Sequence, residues 1–266
     1  MQRPMLDEKV CVITGAGGGI GRETAIEMSR RGARVVVSDV NDAGGEETVT
    51  RVEAAGGVAS YVHCDVRNEE EIIALMAAAA ATYGGIDVLH NNAGVQESEF
   101  TADSAVDTLP TEVWDVVYEI NLRAVWLATK HAAPYLRASK RGPAIVNASS
   151  AGGLLGYPMC PAYSATKGAV IQLTQVTAID LAPVVRCNCY CPAAVDTPMV
   201  QKYFDAADDP DALRAALVGS HLIPRLGEPA DIASLVCFLA SEEASWITGT
   251  AITIDGGSLA WRGSNG

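Results

Sequence analysis

The stretch Thr14-Gly15-Ala16-Gly17-Gly18-Gly19-Ile20-Gly21 decides how the rest of the chain is read. It follows a β-rich run, Val10 to Thr14, and opens Ile20 to Arg31, whose apolar residues have helical spacing. Glycines at such a turn allow positive φ and let a ligand come close to the backbone. The helix behind them points free N–H groups and a positive dipole end at a pyrophosphate. An acid follows at Asp39, 18 residues after Gly21, at the end of a second strand-like run, Arg34 to Asp39. There a carboxylate accepts both ribose hydroxyls of a dinucleotide and repels a 2′-phosphate. Gly18 precedes Gly19 and Val40 follows Asp39, so neither place offers a base to a second phosphate. The turn therefore reads as a site for NAD rather than NADP.

Beyond this turn the chain alternates. Ala43 to Ala55 reads as a helix, Ala59 to Cys64 as a strand, Glu69 to Tyr83 as a helix and Ile86 to His90 as a strand. A polar loop, Val95 to Pro110, leads into one long helix, Thr111 to Ser139, with Thr111 as its cap and Pro134 near its end. Then come a strand at Ala144 to Ala148, a helix at Ala162 to Leu181 and a strand at Val185 to Cys191. A loop with short helices, a helix at Pro229 to Ala240 and a strand at Ala251 to Ile254 close the pattern. Strands separated by helices imply crossovers and a parallel sheet. The expected fold is α/β, a Rossmann-type doubly wound sheet of seven parallel strands with helices on both faces. No Ser/Pro-rich linker divides it, so residues 1–266 are expected to form a single domain.

Composition narrows the function. With 19 basic and 32 acidic side chains the net charge is −13, which argues against nucleic acid and against an anionic membrane surface as partners. No uninterrupted apolar run approaches the ~20 residues a membrane helix needs, and the N-terminus lacks the apolar stretch of a secretory leader. Seven cysteines, an odd count in apolar surroundings, suggest reduced thiols and a cytoplasmic protein. Cys187, Cys189 and Cys191 alternate along one strand and read as core packing; His63, His90, His131 and His221 have no metal spacing, so no metal site is expected.

Tyr163 and Lys167 are four apart on a helix and share a face. A phenol titrates near 10, so acting as a base near neutral pH requires a fall of roughly 3 units, or about 4 kcal/mol. A lysine one turn away and a positive nicotinamide ring supply that kind of stabilisation. Ser149 and Ser150 end the preceding strand, at the side of a parallel sheet where ligands bind.

From Lys9 to Gly257 these residues resemble the short-chain dehydrogenase/reductase family, in its single-domain form of about 250 residues. Thr14 to Gly21 is similar to the family's TGxxxGIG, Asn91-Asn92-Ala93-Gly94 to its NNAG, Asp65-Val66 to its adenine-contacting pair and Tyr163-Ser164-Ala165-Thr166-Lys167 to its YxASK. Arg225 to Pro229 and Asp255-Gly256-Gly257 match its C-terminal signatures. The resemblance implies a catalytic set of Asn121, Ser150, Tyr163 and Lys167, with Tyr163 exchanging a proton with the substrate oxygen. Ser150 would orient that oxygen, Lys167 would hold the nicotinamide ribose, and Asn121 would bind a water leading to solvent. It implies a cofactor site of Gly15, Gly18, Gly19, Ile20, Asp39, Asp65, Val66, Asn92, Ala93, Gly94, Tyr163, Lys167, Pro192, Val195 and Thr197, and a homotetramer built on the helices at Thr111–Ser139 and Ala162–Leu181. Two places depart from the family. Its Pro-Gly is Pro192-Ala193 here, and the stretch from Asp180 to Arg186 is about one residue short.

Three segments are expected to wall the substrate pocket, at about 95–110, 151–161 and 193–222. They are rich in Leu154, Leu155, Tyr157, Met159, Met199, Tyr203, Phe204, Leu213 and Leu217 and hold no arginine cluster. The expected substrate is a neutral, fairly apolar secondary alcohol or ketone, alicyclic or steroid-like. A 3-oxoacyl-carrier-protein reductase is the enzymatic alternative, opposed by Asp39 and the net charge. A non-catalytic nicotinamide-binding scaffold or sensor is the other, opposed by the complete catalytic set.

Overall fold

The computed structural model describes residues 5–261. Its strands are β1 (Val10–Thr14), β2 (Arg34–Asp39), β3 (Val58–His63), β4 (Val88–Asn91), β5 (Ala144–Ala148), β6 (Arg186–Pro192) and β7 (Ala251–Ile254). The helices are α1 (Gly19–Arg30), α2 (Asp42–Ala54), α3 (Glu69–Tyr83), α4 (Thr111–Tyr118), α5 (Ala124–Ala138), α6 (Pro161–Leu181), α7 (Pro198–Ala206), α8 (Pro210–Gly219) and α9 (Pro229–Ala240). The strands form one sheet in the order β3-β2-β1-β4-β5-β6-β7, and every pair is parallel. The chain runs outward in one direction from β1 and in the other from β4, so the switch point lies between these two.

Alternation along the strands sends side chains to opposite faces. Cys11 and Ile13 pack with Ala25 and Met28 of α1 and Val236 and Cys237 of α9. Val12 points the other way, with Leu89 and Ile145, into Ile72, Leu75 and Met76 of α3 and Leu127 of α5. Both faces of the sheet are thus dry, as an all-parallel sheet requires. Helix starts follow local chemistry. Asn68 caps α3, whose first turn carries Glu69, Glu70 and Glu71 against the dipole. Pro229 begins α9 beside a capping box of Glu228 and Asp231.

The long helix expected over Thr111–Ser139 is instead interrupted. Glu119–Arg123 forms a π-helical turn between α4 and α5, with Asn121 at its centre. Thr111 is the first helical residue rather than the cap; Pro110 holds that position without a side-chain bond. The short turn before β6 contains a cis Ala182–Pro183 peptide. Ala193 is not among the residues with positive φ, so this turn does not need the family glycine. No helix among the described residues is long and apolar enough to cross a membrane.

Candidate active site

The turn after β1 and the turn after β4 open beside each other at the switch point. Asn92 joins them: its Nδ2 donates to the carbonyls of Thr14 at 3.1 Å and Gly15 at 2.9 Å, while Thr14 Oγ1 accepts from the backbone of Asn92 and Ala93. Gly15 has φ +64, and a Cβ there would lie 2.7 Å from Ala93 Cα. Asn91 braces the sheet below, donating to Asn147 Oδ1 at 2.8 Å. His90 is fully buried and meets the Tyr190 hydroxyl at 3.1 Å; burial holds its pKa down to about 3.

Above these turns lies a cleft of about 710 Å³. Its wall includes Gly15, Gly18, Gly19, Ile20, Asp39, Asp65, Val66, Asn92, Ala93, Gly94, Tyr163, Lys167, Pro192 and Thr197. Of the expected cofactor residues, Val195 is not in the wall; it is buried and bridges to Gly227. Asp39 is pinned by two backbone donors, Gly17 N–H at 2.7 Å and Asn41 N–H at 2.9 Å. A Cβ on Gly17 would sit 2.8 Å from that carboxylate, and Gly18 leaves the N-terminus of α1 without a side-chain cap. This cradle of bare backbone donors beside a fixed carboxylate fits a dinucleotide pyrophosphate and ribose.

Tyr163 and Lys167 lie on the first turns of α6, both buried. Lys167 Nζ is 5.6 Å from the Tyr163 ring centroid and donates to Ala148 O at 2.9 Å. Burial lowers the Lys167 pKa to about 8. The Tyr163 phenol is pushed up by burial, against hydrogen bonds from Ser150 and Gln96 that pull it down. Ser150 Oγ accepts from Gly152 N–H at 3.0 Å. Ser149 turns away and donates to Lys167 O at 2.8 Å, so of the two serines only Ser150 addresses the phenol. The Asn121 amide pairs with both backbone groups of Val95 at 2.9 Å. A Cβ on Gly94 would meet both Lys167 Nζ, at 3.2 Å, and Asn121 Oδ1, at 3.3 Å. Of the four expected catalytic residues, Tyr163 and Lys167 line the cleft, while Ser150 and Asn121 lie behind its wall, Ser150 against the Tyr163 phenol and Asn121 against Val95 and Gly94.

Other contacts were invisible in the sequence. Glu97 is fully buried, and its Oε1 accepts from Tyr163 N–H at 2.8 Å. It caps α6 from another loop, since Cys160 at the cap position makes no side-chain bond. Lys202 reaches the cleft wall but is paired with Glu99 at 2.7 Å. Val95, Phe100 and Met199 supply apolar wall, while Phe204 turns inward under Arg214. Cys187, Cys189 and Cys191 are buried along β6, and no metal-holding cluster occurs among the described residues.

A family model described as enoyl-(acyl carrier protein) reductase matches residues 15–258. Cyclopentanol dehydrogenase of Comamonas sp. (strain NCIMB 9872) is 37% identical over 256 residues, covering 96% of this chain and 98% of that protein. The chain belongs to the short-chain dehydrogenase/reductase family. Another member of the family, cis-4-hydroxycyclohexanecarboxylate dehydrogenase of Sinomonas cyclohexanicum, is 38% identical over 254 residues, 95% of this chain and 97% of that one. The ligand-free aldohexose dehydrogenase of Thermoplasma acidophilum superposes with a TM-score of 0.88 at 33% identity, over 100% of this chain and 99% of that chain. Short-chain dehydrogenases use a nicotinamide cofactor, and this one is an alcohol dehydrogenase/ketoreductase by family.

Proposed function

We propose that this enzyme is an NAD-dependent dehydrogenase interconverting a neutral, fairly apolar, alicyclic or steroid-like secondary alcohol and its ketone. The observation that carries the reading is that Tyr163 and Lys167 stand together in the wall of the cleft that holds the glycine turn and Asp39, with Ser150 bonded to the Tyr163 phenol. When bound, the nicotinamide accepts a hydride from the alcohol carbon or returns it to the ketone. In oxidation Tyr163 takes the hydroxyl proton on its phenolate oxygen; in reduction it gives the proton back. Ser150 donates to the phenol and orients the substrate oxygen beside it. Lys167 holds the nicotinamide ribose and lends positive charge to the phenolate. Asn121, fixed to Val95, positions a water between Lys167 and solvent.

Asp39 supports NAD over NADP. Arg22, the base next to the glycine turn, is already committed to Gly17 O at 2.5 Å, Thr48 Oγ1 at 3.0 Å and Glu47 at 2.8 Å. At the cleft wall Lys202 is paired with Glu99 at 2.7 Å and Arg67 with Asp65 at 2.5 Å, and the loops at 95–110 and 193–222 bring Phe100 and Met199 to the pocket. The relatives' names carry ring alcohols, cyclopentanol and a hydroxycyclohexanecarboxylate, which supports the alicyclic class; the second bears a carboxylate, so only the first supports a neutral substrate. Exposed Trp114, Tyr118 and Trp126 on α4 and α5 and Val176 and Ile179 on α6 support a homotetramer. Free, mostly buried thiols accord with a reducing cytoplasm.

Steady-state nicotinamide absorbance with NAD and NADP, across a panel of secondary ring alcohols, tests the proposal. Tyr163→Phe is expected to abolish turnover while NAD still binds. Full activity in that variant, or a preference for a charged acyl thioester with NADPH, would overturn it.

A further inference from the structure

A phenol reaches across the middle of the sheet. Tyr190 on β6 pairs in register with Ala148 on β5, so both side chains leave the same face, and the small alanine lets the ring pass over β5 toward β4. The pairing of Asn91 with Asn147 sets Asn92 beside Ala148. There the Tyr190 hydroxyl donates to Asn92 Oδ1 at 3.4 Å and lies 3.1 Å from His90 Nε2. The two rings stand 5.8 Å apart and are fully buried. The order of the protons follows from Asn92 outward. Its Nδ2 donates to both Thr14 O and Gly15 O, so Oδ1 is the atom that faces Tyr190, and a carbonyl oxygen only accepts. The phenol has one hydrogen, which goes to Asn92; toward His90 it offers a lone pair. His90 therefore carries its proton on Nε2. Its Nδ1, which has no partner among the described residues, is the bare nitrogen.

We propose that His90 and Tyr190 are positioning residues that orient the Asn92 amide and through it hold the glycine turn in the shape that receives the cofactor's pyrophosphate. Asn92 ties the turn after β1 to the turn after β4. A Cβ on Gly21 would lie 2.2 Å from Gly15 O and 2.6 Å from Asn92 Nδ2, so this bond is packed against the first turn of α1. An amide out of place would disturb the turn and the start of the helix together. Rotated by half a turn, Asn92 would set its oxygen against two carbonyls and its NH2 against the phenol oxygen. That oxygen already accepts from His90 Nε2–H, and the phenol hydrogen would lose its acceptor. The His90–Tyr190 pair thus lets the chain of bonds run in one direction. The inference rests on the reading of the turn as a cofactor cradle and not on the identity of the alcohol.

The surroundings make the pair unusual. His90 lies in register between Ile13 of β1 and Val146 of β5, and Tyr190 packs in the same apolar layer as Ile13, Val146 and Val195. Apolar side chains would fill such positions without the cost of burying polar atoms. Here the polar atoms are spent on one another and on Asn92. Burial holds His90 neutral, with its pKa down to about 3, so the order of the protons is the same throughout the neutral range. Tyr190 also borders the cofactor cleft, which places the end of this chain of bonds at the floor of the site.

The test is calorimetric binding of NAD and of NADP to wild type, Tyr190→Phe, His90→Leu, Asn92→Ala and the Asn92→Ala/Tyr190→Phe double variant, with the Tm of each and nitrogen NMR of the histidines. Tyr190→Phe, which keeps the ring and removes the hydroxyl, should weaken the preferred dinucleotide about three- to tenfold, the worth of one hydrogen bond. The loss should appear in Kd and in KM for the dinucleotide more than in kcat. His90→Leu should weaken binding less, since Tyr190 still donates to Asn92. In the Asn92→Ala background Tyr190→Phe should add nothing. The histidine signal that vanishes in His90→Leu should report a proton on Nε2. A lowered Tm with unchanged Kd would make both rings core packing and overturn the proposal. So would an undiminished effect of Tyr190→Phe in the Asn92→Ala background, or a proton on Nδ1. Where a variant does not fold, the wild-type tautomer and the remaining variants decide. The tautomer is read without any cofactor, so a wild-type protein that binds neither dinucleotide counts against the cradle reading itself.

Discussion

Replacing Asp39 by alanine is expected to reverse the cofactor preference. The carboxylate is held by Gly17 N–H at 2.7 Å and Asn41 N–H at 2.9 Å, so it cannot swing away from an incoming phosphate. Hydrogen bonds from a bound ribose to this carboxylate would be charge-assisted, worth about 1.5–3 kcal/mol, so losing one would weaken NAD about 10- to 150-fold. Its repulsion of one phosphate charge about 5 Å away, at an effective permittivity of about 20, is about 3 kcal/mol, so removing it strengthens NADP about 100-fold. Together the ratio of kcat/KM for NAD to that for NADP falls by about a thousandfold or more. The assay is steady-state kinetics with both cofactors on one ring alcohol at fixed low salt, with calorimetric binding of each dinucleotide as a substrate-free control. The NADP gain should shrink as salt rises, because the repulsion is screened. A ratio that moves less than about tenfold would refute the argument, as would a wild-type enzyme that prefers NADP.

Lys167→Met should abolish turnover yet stabilise the cofactor-free enzyme near pH 7. The folded-state pKa of about 8 lies below the ordinary 10.5, so below pH 8 the fold carries the cost of a buried charge, at most about 3 kcal/mol. Part is offset by the lost bond to Ala148 O, leaving a rise of a few degrees in Tm. The gain should fade as pH climbs from 8 to 10.5, where the lysine loses its proton in the fold; a Tm lowered by the substitution at pH 7 would contradict this. Gly15→Ala should cost about 2–4 kcal/mol, because its Cβ must sit 2.7 Å from Ala93 Cα at a left-handed φ; thermal denaturation that matches wild type would speak against it. Glu97→Ala should lower Tm by leaving Tyr163 N–H buried without an acceptor, about 1–3 kcal/mol, and Glu97→Gln, which keeps an acceptor, should recover much of the loss. Equal behaviour of the two variants would remove the capping argument.

The sequence by itself determined the sheet, the cofactor end and the pairing of Tyr163 with Lys167. Apolar runs such as Val35–Val37, turn glycines such as Gly15 and a four-residue spacing on α6 are properties of near neighbours, and near neighbours are what a sequence displays. What only the tertiary structure decided lies between residues far apart in the chain. Family resemblance marks Asn121, but places it in an unbroken helix; only the fold sets it against Val95, where its side chain meets a backbone from another segment and the helix opens into a π turn. Glu97 reads as one more loop acid, but packing makes it the cap of α6, 66 residues away. Lys202, which no sequence pattern singles out, is neutralised by Glu99, 103 residues away. Gln96 and Tyr203, 107 residues apart, share no pattern that periodicity could expose. Such contacts depend on how loops land on the finished sheet, and hydrogen-bond geometry at that point decides which side chains meet the Tyr163 phenol.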